Sequence, residues 1–264
     1  MEAINKKPDY GNWVSTGLIG KFLFIFLLFG AADAILWIFV PGLTAVKIIL
    51  AVLAAAVLAS IVYFFSARRH LSESGGRVQD KILELLMAQI DWDGNGKALD
   101  IGCGSAALVV KLAKKYGNAR ITGVDYWGSS WGYSKKLCEE NCSIEGVASN
   151  TDFIHAGASR LPFGDGIYDL AVSNLTFHEV KDTINKYDIV KEALRVVKKG
   201  GRFVFQDLFL LHSYYGDMDK LMEALRRDGI EKVEFIDTSK SSFIPNMLRL
   251  PFMVGSIGIL HGTK

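Results

Sequence analysis

Hydrophobic and polar positions divide the chain into two parts with different patterns. In the first part, residues 22–40 and 43–65 form two nearly continuous apolar runs that are separated by Pro41 and Gly42. Each run has about 20 residues, enough for a helix that crosses the hydrocarbon core of a bilayer. Because a signal peptide has a single apolar core of about 7–15 residues, the pattern favours a retained hairpin of two transmembrane helices, about 20–40 and 43–65, within residues 1–70.

Charged residues around these runs predict how the hairpin crosses a membrane. Lys6 and Lys7 precede it, Arg68 and Arg69 follow it, and the turn between the runs carries no charge. Positive charges are retained on the cytoplasmic side of a membrane, so both ends of the hairpin are expected there. The chain is therefore predicted to be a membrane protein with two helices, whose termini and remaining residues 71–264 lie in the cytoplasm.

Two charged residues lie inside the apolar runs, Asp33 in the first and Lys47 in the second. They stand at similar distances from the turn, so an antiparallel hairpin would bring them close together. A charge inside lipid is costly unless it is paired. The favoured interpretation is a structural ion pair, and a contact with substrate is the alternative.

The second part, residues 71–264, alternates between short apolar stretches and helical patterns. After a flexible linker at 72–76, helical spacing covers 77–90. Strands are then predicted at 97–101, 120–124, 152–155, 169–173, 202–208, 232–236 and 255–261, and helices at 108–116, 133–144, 187–197 and 217–227. This alternation predicts an α/β fold with a parallel sheet that is covered by helices on both faces.

The first strand ends in a glycine-rich turn. Gly102 and Gly104 have no Cβ, so the backbone can adopt positive φ and a ligand can approach closely, while the following helix offers unpaired N–H groups. Asp125 ends the next strand about 20 residues later, the spacing at which a carboxylate accepts hydrogen bonds from ribose hydroxyls. No third glycine completes a pyrophosphate turn, so a ligand that contains adenosine is favoured over a dinucleotide.

Four motifs follow one another in a consistent order and spacing. They are LDIGCG at 99–104, VDYW at 124–127, LPF at 161–163 with YDLAVSN at 168–174, and EALRVVKKGGRF at 192–203. They resemble the motifs of class I S-adenosylmethionine-dependent methyltransferases of the small-molecule type, and the resemblance covers roughly residues 77–262. It implies a Rossmann-like sheet of seven strands, the last inserted antiparallel, and S-adenosylmethionine as the cofactor.

The resemblance also implies where the cofactor binds. The residues expected to contact it are Asp100, Gly102, Cys103, Gly104, Asp125, Tyr126, Trp127, Gly157, Ala158 and Asn174. Ligands of such sheets bind at the carboxyl ends of the strands, so these residues are expected in one cleft. Gly157 departs from the family pattern, which has an acid here to contact the adenine amino group. Backbone groups of Ala158 and Ser159 are therefore expected to recognise adenine.

His178 is the candidate general base, since it follows the fourth strand and adjoins Glu179. A base helps methyl transfer only when the acceptor atom is protonated. The alternative is that His178 hydrogen-bonds the adjacent loop or lines the cleft, and His155 and His212 are weaker candidates for the base. No pair of histidines has the i, i+4 spacing of a helical zinc site, so no metal is expected.

Other side chains are candidates for either the cleft or the core. Cys138 and Cys142 share a helix face and are expected to be small buried side chains, with a soft-metal site as the alternative. Trp127, Trp131 and Tyr133 follow the ribose acid, and Trp127 is expected to touch the cofactor. The apolar loop at 241–253 is predicted to line a hydrophobic acceptor pocket or to lie at the membrane interface, and a buried hairpin loop is the alternative.

Composition narrows the possible functions. Half of the 264 residues are hydrophobic, and the net charge of +2 gives no reason to expect nucleic acid as a partner. The chain is therefore predicted to be a membrane-anchored S-adenosylmethionine-dependent methyltransferase whose acceptor is a small, hydrophobic or membrane-associated molecule, lipid-like acceptors included. A protein methyltransferase and a non-catalytic S-adenosylmethionine-binding module are the alternatives, and the oligomeric state is left open.

Overall fold

The structure of the protein is a computed structural model, which describes residues 6–128 and 132–264. The chain forms two compact units. One unit comprises residues 12–80, and the other comprises residues 6–11 together with 81–264. The first unit therefore contains both apolar runs, and the second contains the alternating strands and helices.

The unit at 12–80 is built around a helical hairpin. Helices α1 (Thr16–Phe39) and α2 (Thr44–Leu71) are both long and apolar enough to cross a membrane. They run antiparallel, because Phe22 near the start of α1 stacks on Phe64 near the end of α2 with ring centroids 5.4 Å apart. Many of their large apolar side chains are exposed, as expected for a surface that meets lipid or another apolar partner.

Lys47 corrects one expectation for this hairpin. Its Nζ donates a hydrogen bond to the carbonyl of Val40 at 3.0 Å and lies 4.5 Å from the ring centroid of Trp37. The expected ion pair with Asp33 does not form between these two described residues. Val40 caps the end of α1, where carbonyls have no partner within the helix, so the nearby ammonium is drawn to the turn and away from the middle of the hairpin.

The other described unit contains one seven-stranded sheet in the order β3-β2-β1-β4-β5-β7-β6. The strands are β1 (Lys97–Ile101), β2 (Arg120–Asp125), β3 (Thr151–His155), β4 (Tyr168–Asn174), β5 (Val197–Asp207), β6 (Lys232–Asp237) and β7 (Gly258–Thr263). All neighbouring pairs among β1–β5 are parallel, whereas β7 pairs antiparallel with both β5 and β6. The predicted fold class, including the inserted antiparallel strand, is confirmed.

Helices cover both faces of this sheet. They are α3 (Val78–Ala88), α4 (Ala107–Lys115), α5 (Lys135–Ile144), α6 (Lys186–Arg195), α7 (His212–Tyr215) and α8 (Met218–Arg227). Strand β4 shows why two layers are needed. Its Ala171 belongs to one hydrophobic cluster, while Leu170 and Val172 on the opposite face belong to the other. A strand that is apolar on both faces must be buried on both, which explains its continuous apolar sequence.

The topology brings several loops to one edge of the sheet. Strands β2 and β3 lie on one side of β1, and β4 and β5 lie on the other, so the strand order reverses at β1. The carboxyl ends of β1–β5 lie at the same edge of the sheet. Because β7 is antiparallel, the loop that precedes it, residues 238–257, also lies at this edge. Ile244 and Leu248 of that loop are buried, whereas Leu250 and Phe252 are exposed. The loop thus contributes to the core and also leaves apolar side chains at the surface.

Candidate cofactor and catalytic site

The glycine turn, residues 102–106, connects β1 to α4 where the strand order reverses. Gly102 and Gly104 have φ values of +76° and +55°. A Cβ on Gly102 would lie 2.0–2.6 Å from side-chain atoms of Thr176, so only glycine fits there. The N–H of Gly102 donates to the carbonyl of Val124 at 2.7 Å, which ties the turn to β2.

Asp125 ends β2 beside this turn. Its Oδ2 accepts a hydrogen bond from the N–H of Gly104 at 2.9 Å, and its Oδ1 accepts one from the N–H of Trp127 at 2.7 Å. The indole Nε1–H of Trp127 donates in turn to the carbonyl of Gly104 at 2.9 Å. The half-buried carboxylate still has lone pairs for further donors, such as the two hydroxyls of a ribose.

Aromatic rings lie next to Asp125. Tyr126 stacks on His155 with centroids 5.3 Å apart, and Nε2 of His155 lies 2.7 Å from the carbonyl of Tyr126. Trp127 also stacks on His155, at 6.1 Å. These contacts give His155 a packing role, while Tyr126 remains 66% exposed and is available to cover a ligand. Trp131, which the sequence places near this wall, lies outside the described residues.

Buried polar atoms at the ends of β1, β4 and β5 lack partners within the described residues. They are Oδ2 of Asp100, Oδ1 of Asn174, and both amide atoms of Gln206. Burial, and then the negative charge of Asp125, raise the pKa of Asp100 well above its usual range. A positively charged ligand would relieve both effects. The ammonium and sulfonium groups of S-adenosylmethionine suit this environment, so the residues present fit the expected cofactor.

Gly157 and Ala158 lie just after β3. A Cβ on Gly157 would meet only the Oγ of Ser159, at 3.8 Å, and its backbone does not have the positive φ that requires glycine. Ala158 is buried, and the hydroxyl of Ser159 donates to Asp182 at 2.6 Å. Position 157 therefore has room for the acid that the family pattern places there.

His178 and Asp207 form a hydrogen-bonded dyad beside the glycine turn. His178 lies in a 3₁₀ turn, Phe177–Glu179, that follows β4, and Asp207 is the last residue of β5. Nδ1 of His178 lies 2.7 Å from Oδ1 of the fully buried Asp207, whose Oδ2 accepts the N–H of Phe177 at 2.7 Å. Asp207 thereby fixes the orientation of the imidazole and directs Nε2 toward Glu179, whose Oε1 lies 3.5 Å away.

The charges around His178 favour its protonated form. Burial opposes the imidazolium, but the charge and hydrogen bond of Asp207, together with Glu179, outweigh it and raise the pKa of His178 to about 10. The hydrogen bond from His178 stabilises the charged carboxylate of Glu179 and so lowers the pKa of Glu179. At neutral pH the dyad therefore holds a proton while no acceptor is bound. His212, the weaker candidate, is exposed at the start of α7.

The three cysteines are buried. Burial, followed by the neighbouring Cys138, raises the pKa of the Cys103 thiol, so at this position only the main chain is suited to border a ligand. The thiol of Cys138 donates to the carbonyl of Gly104 at 3.1 Å, and Cys142 packs in the core on the same face of α5. No group of three or more metal-binding side chains occurs among the described residues.

Three buried polar residues near the ligand edge were not predicted from the sequence. Gln206 and Asp207 end the otherwise apolar stretch FVFQD of β5, and two consecutive buried polar residues at a strand end are a signal that was available. Asn141 of α5 is also buried, but nothing in its helical pattern distinguishes it from a surface residue. Its partners become visible only in the folded chain.

Comparisons with known proteins agree with this geometry. Residues 99–205 match the family model described as a methyltransferase domain. The malonyl-[acyl-carrier protein] O-methyltransferase of Geobacter sulfurreducens is 29% identical over 196 residues, which cover 65% of this chain and 68% of that protein. A demethylmenaquinone methyltransferase of Bacillus velezensis is 29% identical over 127 residues, 48% of this chain and 49% of that protein. The match thus spans only about half of the second relative.

Solved structures support the fold. The [4+2]-cyclase SpnF superposes with a TM-score of 0.56 at 18% identity, over 71% of this chain and 82% of that one. The geranyl diphosphate C-methyltransferase of Streptomyces coelicolor, in complex with S-adenosyl-L-homocysteine, has a TM-score of 0.54 at 15% identity, over 71% of this chain and 79% of that one. At these identities the likeness concerns the fold and not the reaction.

Proposed function

We propose that this chain, whose residues 99–205 match a methyltransferase domain, uses S-adenosylmethionine to methylate a small hydrophobic acceptor that reaches it from a membrane. The observation that carries this proposal is the His178–Asp207 dyad beside the glycine turn. Thr176, two residues before His178, donates a hydrogen bond to the carbonyl of Gly102 at 3.4 Å, so the segment that carries the candidate base contacts the cofactor turn.

Binding of the cofactor is assigned to the residues around the turn. Asp125 would accept the ribose hydroxyls, Tyr126 and Trp127 would border the adenosine, and the main chain of Ala158 would contact adenine. Asp100 and Asn174, whose buried oxygens lack described partners, would face the methionine part. When bound, S-adenosylmethionine supplies an electrophilic methyl group, so the chain must hold the acceptor atom in line with it and exclude water.

The dyad suits an acceptor with an ionisable hydroxyl. In its neutral form, the imidazole of His178 takes the proton of that hydroxyl at Nε2, and Asp207 stabilises the resulting imidazolium through Nδ1. A general base works best when its pKa lies near the working pH, so with a pKa raised to about 10 only a small neutral fraction of His178 acts at pH 7. A phenol, with a pKa of about 10, gives up its proton to this imidazole more readily than an aliphatic alcohol does. A phenolic or quinol-type ring is therefore proposed as the acceptor ahead of a lipid headgroup.

Exposed apolar side chains at the same edge support a hydrophobic acceptor. Leu210 and Tyr214 follow β5, and Leu250 and Phe252 lie in the loop before β7. Their rings and aliphatic groups offer a surface on which an apolar ring can partition out of water. The relative from Bacillus velezensis is named for a demethylated menaquinone, a molecule of this chemical kind.

The proposal is tested by methyl transfer in a membrane extract. The detergent-solubilised full chain is incubated with S-adenosylmethionine labelled in its methyl group and with total membrane lipids, soluble metabolites and membrane proteins in separate reactions. Label in an organic-soluble ring compound is expected, and it should be lost with His178→Ala. Label only in soluble metabolites or only in protein would refute the membrane acceptor, and the second result would favour a protein methyltransferase. Cofactor binding without any transfer would favour the non-catalytic module.

The hairpin is proposed to anchor the enzyme with its catalytic residues in the cytoplasm. Helices α1 and α2 have the required length and composition, and Arg68, Arg69 and His70 occupy the last turn of α2. In vesicles whose cytoplasmic face points outward, added protease should digest residues 81–264 while the hairpin stays with the membrane through an alkaline carbonate wash. Release of the chain by carbonate would refute the anchor, and protection of the whole chain would refute the orientation.

A further inference from the structure

A segment ahead of the hairpin packs on the glycine turn. The described residues 6–11, here termed the strap, belong to the same unit as residues 81–264. Within the strap, the carbonyl of Tyr10 accepts a hydrogen bond from the hydroxyl of Ser105 at 3.0 Å. Lys6 forms an ion pair with Glu140 at 2.8 Å, which adds a contact to α5. The strap therefore bridges the glycine turn and the helix beside it.

Asn141 joins these two elements through one buried amide. It is only 1% exposed. Its Oδ1 accepts the N–H of Asp9 at 2.9 Å, and its Nδ2 donates both to the carbonyl of Asp9 at 2.8 Å and to the carbonyl of Ser105 at 2.9 Å. The same side chain thus holds a strap peptide and a glycine-turn carbonyl, and loss of either partner leaves a buried polar group unsatisfied.

Tyr133 adds a second bridge between the strap and the cofactor residues. Its ring lies 2.7–3.2 Å from the position a Cβ would take on Gly11, and 3.4 Å from the corresponding position on Gly104. Burial, and then the charges of Asp9 and Asp125, raise the pKa of Tyr133 to about 12. The ring therefore lies between the strap and the acid expected to bind ribose.

From these contacts we infer that the strap is part of the cofactor site and that Asn141 is a positioning residue that holds the glycine turn in its binding geometry. The inference rests on the proposed placement of the cofactor at that turn. Coupling of this kind is reciprocal. If docking of the strap favours the bound shape of the turn, then S-adenosylmethionine must strengthen docking of the strap by the same factor.

The first test measures cofactor affinity of the full chain by calorimetry, with turnover at saturating cofactor measured in parallel. Asn141→Ala is expected to weaken S-adenosylmethionine binding about tenfold and to leave kcat within about twofold, because the lost hydrogen bonds shape the turn and not the acceptor side. Asn141→Asp keeps the acceptor for the Asp9 N–H but loses both donated hydrogen bonds, so it should weaken binding as well. Asn150→Ala is the matched control, because its amide contacts Ala119 away from the turn.

Asp125→Ala separates failure of this inference from failure of the proposed site. If Asp125→Ala weakens binding and Asn141→Ala does not, the positioning role of Asn141 is refuted and the site stands. If neither substitution changes the affinity, the placement of the cofactor is wrong. A fall in the unfolding temperature of Asn141→Ala with unchanged affinity would show a purely structural role and would also refute the inference.

The second test needs no substitution and covers the case that Asn141→Ala does not fold. The amide of Asp9 donates to Asn141, so its hydrogen exchange reports docking of the strap. Saturating S-adenosylmethionine should slow exchange at this amide about tenfold in the wild-type chain, in line with the reciprocal coupling. Unchanged exchange at this amide, with slower exchange at the glycine turn, would refute the inference.

Discussion

Replacement of Glu179 with glutamine tests whether His178 acts as the base. Oε1 of Glu179 lies 3.5 Å from Nε2 of His178, and its negative charge helps to keep the imidazole protonated. Glu179→Gln removes that charge and leaves the Asp207 contact in place. The substitution should therefore lower the apparent pKa of His178, so that the neutral form becomes available at lower pH.

The distance sets the size of the effect. Two unit charges at the 3.5 Å seen here interact by about 1.2 kcal/mol in a water-like dielectric and by about 5 kcal/mol at an effective value of 20. The Glu179 side chain is 46% exposed, so the lower figure applies and the apparent pKa of His178 should fall by about 1. The fraction of His178 that is neutral at pH 7 would then increase about tenfold. Because an imidazole of lower pKa is a weaker base, each neutral molecule reacts more slowly, and the net rise in kcat/KM should be about threefold.

The assay is the initial rate of methyl transfer at subsaturating acceptor between about pH 6 and pH 10. In the wild-type chain kcat/KM should rise with pH, because the imidazolium predominates below its pKa of about 10. Glu179→Gln should shift this rise to lower pH, and His178→Ala should abolish it. Asp182→Asn is the matched control, since Asp182 lies in the same loop but contacts Ser159. An unshifted profile with a rate that falls equally at every pH would refute the reasoning and would indicate that Glu179 binds the acceptor.

Three further predictions follow from single positions. Gly157→Asp should tighten S-adenosylmethionine binding about tenfold, because the site has room for a side chain and the new acid can accept a hydrogen bond from the adenine amino group. Unchanged affinity in calorimetry would show that adenine does not bind next to residue 157. Gly102→Ala should abolish cofactor binding and destabilise the fold by about 1–3 kcal/mol, because its Cβ would collide with Thr176 at positive φ; denaturant unfolding with an unchanged midpoint would contradict this. Because its pKa is raised, protonated His178 stabilises the fold fully below about pH 6.5, and this contribution is lost as the pH rises to about 10. The urea midpoint should therefore fall more between these pH values in the wild-type chain than in His178→Gln. Equal falls in the two chains would contradict this prediction.

Local signals in the chain were sufficient for the fold and for half of the site. The glycine turn could be predicted because positive φ is a property of the residue itself, and Asp125 because a strand of known length carries it to the neighbouring position. The strand β5 is longer than expected, since it begins at Val197 and its pairing with β4 is irregular between Tyr168 and Leu170. Residues 198–201 lie in this irregularity, between the pairs Tyr168–Val197 and Leu170–Arg202, and Gly200 has a φ of +76°. The local preference of Lys198-Lys-Gly-Gly201 for a turn is therefore kept as a bulge within the strand.

The contacts that define the catalytic side depend on residues far apart in the chain. Asp207 meets His178 across 29 residues, and Asn141 meets Asp9 across 132. Lys47 likewise finds Val40 and Trp37 instead of Asp33, although all of these residues lie in one hairpin.

The sequence by itself determined the two apolar helices, the alternating fold, the inserted last strand and the cofactor class, because these follow from periodicity, glycine geometry and motif spacing. Only the tertiary structure decided which buried carboxylate orients the histidine, which polar atoms lack a described partner, and that the strap lies on the glycine turn. The physical reason is that each of these depends on the direction of a side chain toward a distant partner. Period and spacing fix the face on which a residue lies, but they do not fix the group it meets there.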